Sequence, residues 1–308
     1  MSKDKYKVIN WSEYNEGLKQ RGSLRLWIKT DIAEGWQYQG DKKRGGQQHY
    51  SDMAIELCLI IRKVYRLPLR QTEGFMNSFF ANSKLNLIAP DYTTLSRRSS
   101  SLAVELSSAS KSGIADIVVD STGLKVYGEG EWKVRKHGAG KHRTWMKMHV
   151  AVDETSQQIE AVTLTGNAIS DATEVSALLK QIMNKITSFK ADGAYDKLKV
   201  RKELYEKDIQ QVIPPQHNAV ESKDRSSYLQ QRDKAIRTIS TIGKAEWKKQ
   251  ENYHQRSKSE TAMFRYKTII GNNLSARKKE NQQTEARIGC KILNIALQTT
   301  KPKSIKVA

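Results

Sequence analysis

From residue 114 onward, the order of elements is what most limits the fold of this chain: three strands, a helix, a strand, a helix, a strand, a polar insertion, then helix again. Residues 114–120 (IADIVVD) are a short apolar run rich in β-branched side chains. Residues 145–153 alternate, with Met146, Met148, Val150 and Val152 on one face and Lys147, His149 and Asp153 on the other. A third strand, 159–165, follows the turn Glu154-Thr155-Ser156. Val175, Leu178, Leu179, Ile182 and Ile186 then recur at helical spacing over about 172–186. Residues 188–192 form a strand, 196–207 a helix and 209–213 a strand that stops at Pro214-Pro215. Helical spacing returns at about 257–270 and 284–298.

Strands joined by short turns are antiparallel, and strands separated by a crossover helix are normally parallel. The order therefore specifies an α/β core with a mixed sheet flanked by helices, as in the ribonuclease H-like fold. Such a sheet sets the first strand beside the strand after the crossover helix, with Asp120 and Asp192 at their C-terminal ends, where open α/β sheets place their ligands. The other acids fail this filter. Asp116 is at the opposite end of its strand, Asp153 closes an antiparallel strand, Asp171 reads as a helix N-cap, and Asp196 lies one turn past Asp192. A helix packed across the same edge would deliver Glu260. Three carboxylates suit Mg²⁺, with Mn²⁺ as a substitute, and two such ions ~4 Å apart can activate an attacking oxygen and stabilise a leaving one.

Ahead of this core, Met53, Leu57, Ile60, Ile61 and Val64 mark a helix over 52–66 that ends at Leu67-Pro68. Two more helices are expected at 69–80 and 91–108, the second capped by Asp91. Thr93, Thr94, Ser96, Arg97 and Arg98 open that helix as a recognition helix would, so 69–108 is a candidate helix-turn-helix with Arg97 and Arg98 facing DNA. The chain carries 53 Lys and Arg against 33 Asp and Glu, net +20, spread through folded segments, which favours nucleic acid as partner. No apolar run approaches the ~18 residues of a membrane span, and the N-terminus lacks a signal-type stretch, so a cytoplasmic protein is expected. Cys58 and Cys290 form no CxxC pair and read as buried thiols.

In YHQRSKSETAMFRYK, Tyr253, Arg256, Glu260 and Lys267 have the spacing Y-(2)-R-(3)-E-(6)-K. This resembles the signature of bacterial insertion-sequence transposases of the DDE class. The blocks IVVDSTGLKVYGEGEW, KHRTWMKMHVAVD and ADGAYD are similar to the insertion-sequence-five transposase family. Asp120 to Asp192 spans 72 positions and Asp192 to Glu260 spans 68. The resemblance covers most of residues 50–298. It implies Mg²⁺-dependent cleavage at terminal inverted repeats and strand transfer into target DNA, with Asp120, Asp192 and Glu260 as metal ligands. It also implies Tyr253, Arg256 and Lys267 as supporting residues, and synapsis of two ends implies a homodimer or higher complex.

The expected organisation is a mostly helical DNA-binding region at 1–110, a catalytic core at 111–214 and 256–298, a basic insertion at 215–255 and a basic tail at 299–308. Two basic features are further candidates for DNA contact. One is the loop with Arg135, Lys136, Lys141 and Arg143; the other is the insertion with Lys248 and Trp247, whose ring either stacks on an unpaired base or is buried. Two alternatives stand beside the transposase reading: a nuclease or resolvase of the same fold, and a repurposed DNA-binding protein without catalysis.

Overall fold

The computed structural model describes residues 5–41, 44–106, 113–126, 145–223 and 226–307. The chain divides into two compact units, Met1–Glu105 with Lys291–Ala308, and Leu106–Cys290. Among the described residues no helix is long and apolar enough to cross a membrane.

The first unit is helical apart from β1 (Lys5–Val8), which pairs antiparallel with Ser304–Val307. It contains α1 (Trp11–Arg21), α2 (Leu24–Trp27), α3 (Asp52–Val64), α4 (Leu69–Asn82) and α5 (Tyr92–Arg98). Ser51 caps α3 by accepting from the Ala54 N–H at 3.1 Å. The buried face of α3 is wider than one stripe, taking in Ala54, Ile55 and every residue from Leu57 to Ile61, as suits a central helix. Asp91 caps α5 through the N–H groups of Thr93 and Thr94. α5 stops at Arg98, well short of 108, because a serine run follows. The hydroxyls of Ser99, Ser100 and Ser101 donate to the carbonyls of Ser96, Arg97 and Arg98, which competes with helix continuation. Nine residues separate α4 from α5, where a helix-turn-helix uses three or four.

The second unit begins with β2 (Ile114–Val126), β3 (Trp145–Asp153) and β4 (Ile159–Gly166). A 3₁₀ turn (Asp171–Glu174), α6 (Val175–Leu179) and β5 (Lys185–Lys190) follow. Next come a 3₁₀ turn (Gly193–Tyr195), α7 (Leu198–Glu206) and β6 (Gln210–Val212). The insertion holds α8 (Gln230–Ile242) and α9 (Lys244–Gln250), and a 3₁₀ turn (Tyr253–Arg256) leads into α10 (Ser257–Arg265). A π turn (Tyr266–Ile270), β7 (Asn273–Leu274) and α11 (Lys279–Thr299) close the order.

The sheet runs β4-β3-β2-β5-β6, with β7 beside the far end of β2. β2, β3 and β4 are antiparallel neighbours, and β5 and β6 run parallel to β2. This is the ribonuclease H-like arrangement. Ile117 and Val119 pack with Val175, Leu178, Val200 and Leu204 in one core layer, and α10 lies against β2 and β3.

Two elements of the second unit's helical segments also differ from the sequence expectation. The helix expected at 172–186 is a 3₁₀ turn and a five-residue helix, because Ile186 pairs with Ala115 in the sheet. Ile182 and Ile186 had the spacing of a helical stripe, but the parallel ladder claims the segment first. The helix at 257–270 changes to a π turn at Tyr266, whose ring is buried against the α11 backbone at Gly289. A Cβ at 289 would sit 2.6 Å from Cε2 of that ring and 2.8 Å from its hydroxyl. Gly289→Ala is therefore expected to cost about 1–3 kcal/mol, the usual penalty of overpacking. A urea midpoint unchanged from wild type would show that the ring moves aside freely.

Candidate active site

Asp120 sits inside β2, not at its end. The strand continues because β3 pairs with it as far as Lys125↔Trp145, and β7 joins at Lys125↔Asn273. Pairing with β5 ends earlier, at Val118↔Lys190. Two residues further along each strand come Asp120 and Asp192, level with one another where β5 has stopped and the sheet opens. The Asp120 Oδ1 accepts from the Ser121 N–H at 2.8 Å. The Asp192 Oδ1 accepts from the Ala194 N–H at 2.9 Å, so this carboxylate caps the turn that follows it.

Glu260 lies in the first turn of α10. Arg256 connects it to the sheet: one guanidinium nitrogen donates to Asp120 Oδ2 at 2.9 Å and the other to Glu260 Oε1. Burial pushes the Asp120 carboxyl above its usual range; the Ser121 N–H and Arg256 pull it down, while Asp192 and Glu260 push it up. Burial pulls Arg256 down, but Tyr253, Asp120 and Glu260 outweigh it and hold the guanidinium charge above its ordinary value. Asp192 and Glu260 are thus both within electrostatic reach of Asp120, with one cation between Asp120 and Glu260.

Among the described residues no three His, Cys, Asp or Glu side chains are drawn close enough to hold an ion. The donor set nevertheless fits a hard divalent cation. All three groups offer carboxylate oxygens, and Asp120 is half-desolvated beside two like charges, which a bound cation would relieve. In this arrangement the Arg256 fork supplies the positive charge between Asp120 and Glu260.

Tyr253 packs against Trp247, with ring centroids 6.0 Å apart, in a cluster with Val212 and Ala235. Trp247 is 2% exposed, so of its two readings the structure gives the buried one, and its ring offers no face to a base. Lys248 is exposed, its ammonium 5.2 Å from the centre of the Tyr253 ring. Lys267 is exposed on the π turn. In the first unit Arg97 is exposed, bonded to Thr94 Oγ1 at 3.2 Å. Arg98 turns inward, donating to the Tyr50 carbonyl at 2.9 Å and pairing with Asp52, so its guanidinium ties α5 to α3. Arg135, Lys136, Lys141 and Arg143 lie outside the described residues.

Two further residues border the site. Asp171 is the first residue of its 3₁₀ turn, not the cap, and meets Lys147 at 2.9 Å. Tyr195 is buried in the turn that Asp192 caps. The signal for them was on β3: Lys147 and His149 form a polar face on a strand that is otherwise buried, and such a face calls for an acid.

Two sequence families, both described as a transposase DDE domain, match the chain, one over residues 19–129 and the other over residues 111–295. Among solved structures it is similar to a piggyBac transposase synaptic complex with hairpin DNA. The identity is 10% and the TM-score 0.42, over 96% of this chain and 78% of that one. The fold assignment rests on the strand order above, and the second family match spans the whole of the sheet. The chain belongs to the DDE-domain transposases, enzymes that cleave DNA and transfer its strands.

Proposed function

We propose that this transposase, akin to the insertion-sequence-five group, cuts at the terminal inverted repeats of its element and joins the freed ends to target DNA. The observation that carries this reading is the Arg256 fork, which ties Asp120 on the sheet to Glu260 on α10 beside the turn of Asp192. Asp120, Asp192 and Glu260 would hold Mg²⁺, two ions in the full site, or Mn²⁺ in its place. When bound, the metal lowers the pKa of the attacking oxygen and stabilises the one that leaves.

In the first step water attacks the phosphorus at the element boundary. The new P–O bond leaves a 5′-phosphate on the flanking DNA, and the broken one leaves a 3′-hydroxyl on the element. In the second step that hydroxyl attacks a target phosphodiester, and the target's 3′ oxygen departs with a proton. Arg256 holds the two carboxylates in place, and on DNA its fork is suited to a phosphate oxygen. Lys267 and Lys248 would hold the backbone, and the joining of two ends calls for at least a homodimer.

The test is cleavage of supercoiled plasmid carrying the element's flanking ends, with Mg²⁺ and with EDTA, for wild type and Glu260→Gln. Metal-dependent nicks at the repeat boundary that vanish in the variant are expected, followed by joined products. Binding without cutting would overturn the catalytic reading, and cutting without joining would point to a nuclease.

The two arginines of α5 separate in the same way. Arg97→Ala should weaken end binding and lower the slope of log K against log salt by about one, as loss of one phosphate contact does. Arg98→Ala should instead cost about 1.5–3 kcal/mol of stability, the value of a charged hydrogen bond, with binding per folded molecule unchanged. Unchanged isotherms for Arg97→Ala would remove α5 from the DNA surface.

A further inference from the structure

Behind the carboxylates, on the polar face of β3, lies a set of side chains that neither the metal reading nor packing accounts for. His149 is fully buried, and burial holds its imidazole below its usual pKa. Its Nε2 meets Thr165 Oγ1 at 2.8 Å, and its Nδ1 stands 3.6 Å from Asp171 Oδ1, too far for a hydrogen bond. Lys147 reaches the same Asp171 oxygen at 2.9 Å while donating to the Ile169 carbonyl at 2.8 Å. The 3₁₀ turn that starts at Asp171 packs against the turn Gly193–Tyr195.

Tyr195 completes the set. It is 1% exposed, its ring held edge-on to Phe189 at 6.4 Å, and its hydroxyl has no hydrogen-bond partner. The charges that act on that hydroxyl are the carboxylates of Asp171, Asp120 and Asp192 and the Arg256 guanidinium. The hydroxyl is thus within electrostatic reach of three carboxylates and bonds to none of them. His149 Nδ1 is likewise buried without a hydrogen bond, and Asp171 Oδ1 has the Lys147 charge beside it but no well-directed donor. Each unpaired atom of this kind costs about 1–3 kcal/mol, and a phenylalanine at 195 would fill the same volume without that cost. Buried polar atoms left unpaired at such a cost call for a partner, which a small shift of the two packed turns would supply.

We propose that Asp171 and Tyr195 are positioning residues for Asp192: in the working site the Tyr195 hydroxyl donates to Asp171 and so fixes the turn that Asp192 begins and caps. The lever is short. The Tyr195 N–H already meets the Asp192 carbonyl at 3.2 Å, and the Asp192 carboxylate holds the N–H of Ala194. Lys147, fixed on β3, pairs with the Asp171 carboxylate and so ties the Asp171 turn to the sheet. The inference rests on the transposase reading and adds to it a fourth acid that touches neither metal nor DNA.

The experiment compares full-length wild type, Tyr195→Phe, Asp171→Asn and the double variant in three measurements. These are cleavage rate against Mg²⁺ concentration, Mn²⁺ affinity of the DNA-free protein by water proton relaxation, and thermal stability. Tyr195→Phe should lower the cleavage rate and weaken Mn²⁺ binding, each about 10–100-fold, as loss of an orienting partner behind a metal ligand does. It should melt no lower than wild type. The double variant should be no worse than the worse single one, because both remove one interaction.

Wild-type cleavage and Mn²⁺ affinity in Tyr195→Phe, or additive losses in the double variant, would overturn the proposal. A lower melting temperature with unchanged Mn²⁺ affinity would reduce the pair to structural support. If Asp171→Asn does not fold, Tyr195→Phe decides alone, since it removes only an oxygen without a partner. Failure of the wild type to cut any end would count against the transposase reading, whereas the Mn²⁺ arm would still judge Tyr195.

Discussion

Asp120→Asn, Asp192→Asn and Glu260→Gln will each reduce cleavage about a thousandfold or more, while DNA binding stays within a few-fold of wild type. The size follows from what a carboxylate–metal bond supplies. Several kcal/mol of charge stabilisation at the reacting phosphate goes with it, and each ~1.4 kcal/mol is a factor of ten in rate. The amides keep the shape of the acids and can still accept a hydrogen bond. An amide oxygen at position 120 would retain the Ser121 N–H, and one at position 192 would still cap Ala194. Only the charge and the hard ligand are lost, so folding should be spared. At Asp120 the metal-free protein should melt no lower, because burial and the charges of Asp192 and Glu260 already disfavour the ionised form there. Thermal melting and plasmid nicking on the same preparations check both halves. A variant that cuts at near-wild-type rate would take its residue out of the site.

The sheet was legible because its signals are local. Alternation along 145–153 and the β-branched run at 114–120 name strands, and the intervening helices dictate parallel pairing. The ends of elements were less legible because partners far away in sequence set them. β2 runs past Asp120 since β3 and β7 still pair with it, and Ile186 leaves a helical stripe to pair with Ala115. Side-chain direction was least legible of all. Arg97 and Arg98 read alike, yet Asp52, 46 residues away, turns one of them inward. Asp171 passed for a cap because its ion-pair partner, Lys147, is on β3, far from it in sequence. Trp247 had two readings in the sequence, and the cluster with Tyr253 and Val212 decides between them.

Asp196→Ala is expected to destabilise the protein by about 3–5 kcal/mol, as breaking one side of a buried ion pair does. One turn past Asp192, this acid is 2% exposed at its side chain and neutralises two arginines. Arg201 on α7 reaches its Oδ1 through Nε at 3.1 Å and Nη2 at 3.0 Å, and Arg232 on α8 adds a contact at 3.2 Å. Its other oxygen takes the Gln216 N–H at 3.1 Å. Arg201 is itself 1% exposed, and it also donates to Gln211 and the Ile213 carbonyl. Burial pulls the Arg201 pKa below its ordinary value, and Asp196 offsets part of that fall. Without Asp196 the Arg201 guanidinium faces a buried gap, whereas Arg232, 17% exposed, keeps Asp233 beside it. Asp196→Asn keeps the acceptor oxygen for Arg201 and loses only the charge, so its cost should be smaller. Urea unfolding of the three proteins measures the difference, and a loss under ~1 kcal/mol for Asp196→Ala would show that the arginines find other partners. The contrast with Asp192 is physical. Four residues apart, one carboxylate is enclosed by cations and serves the fold, while the other meets one N–H at the open edge of the sheet and is free for chemistry.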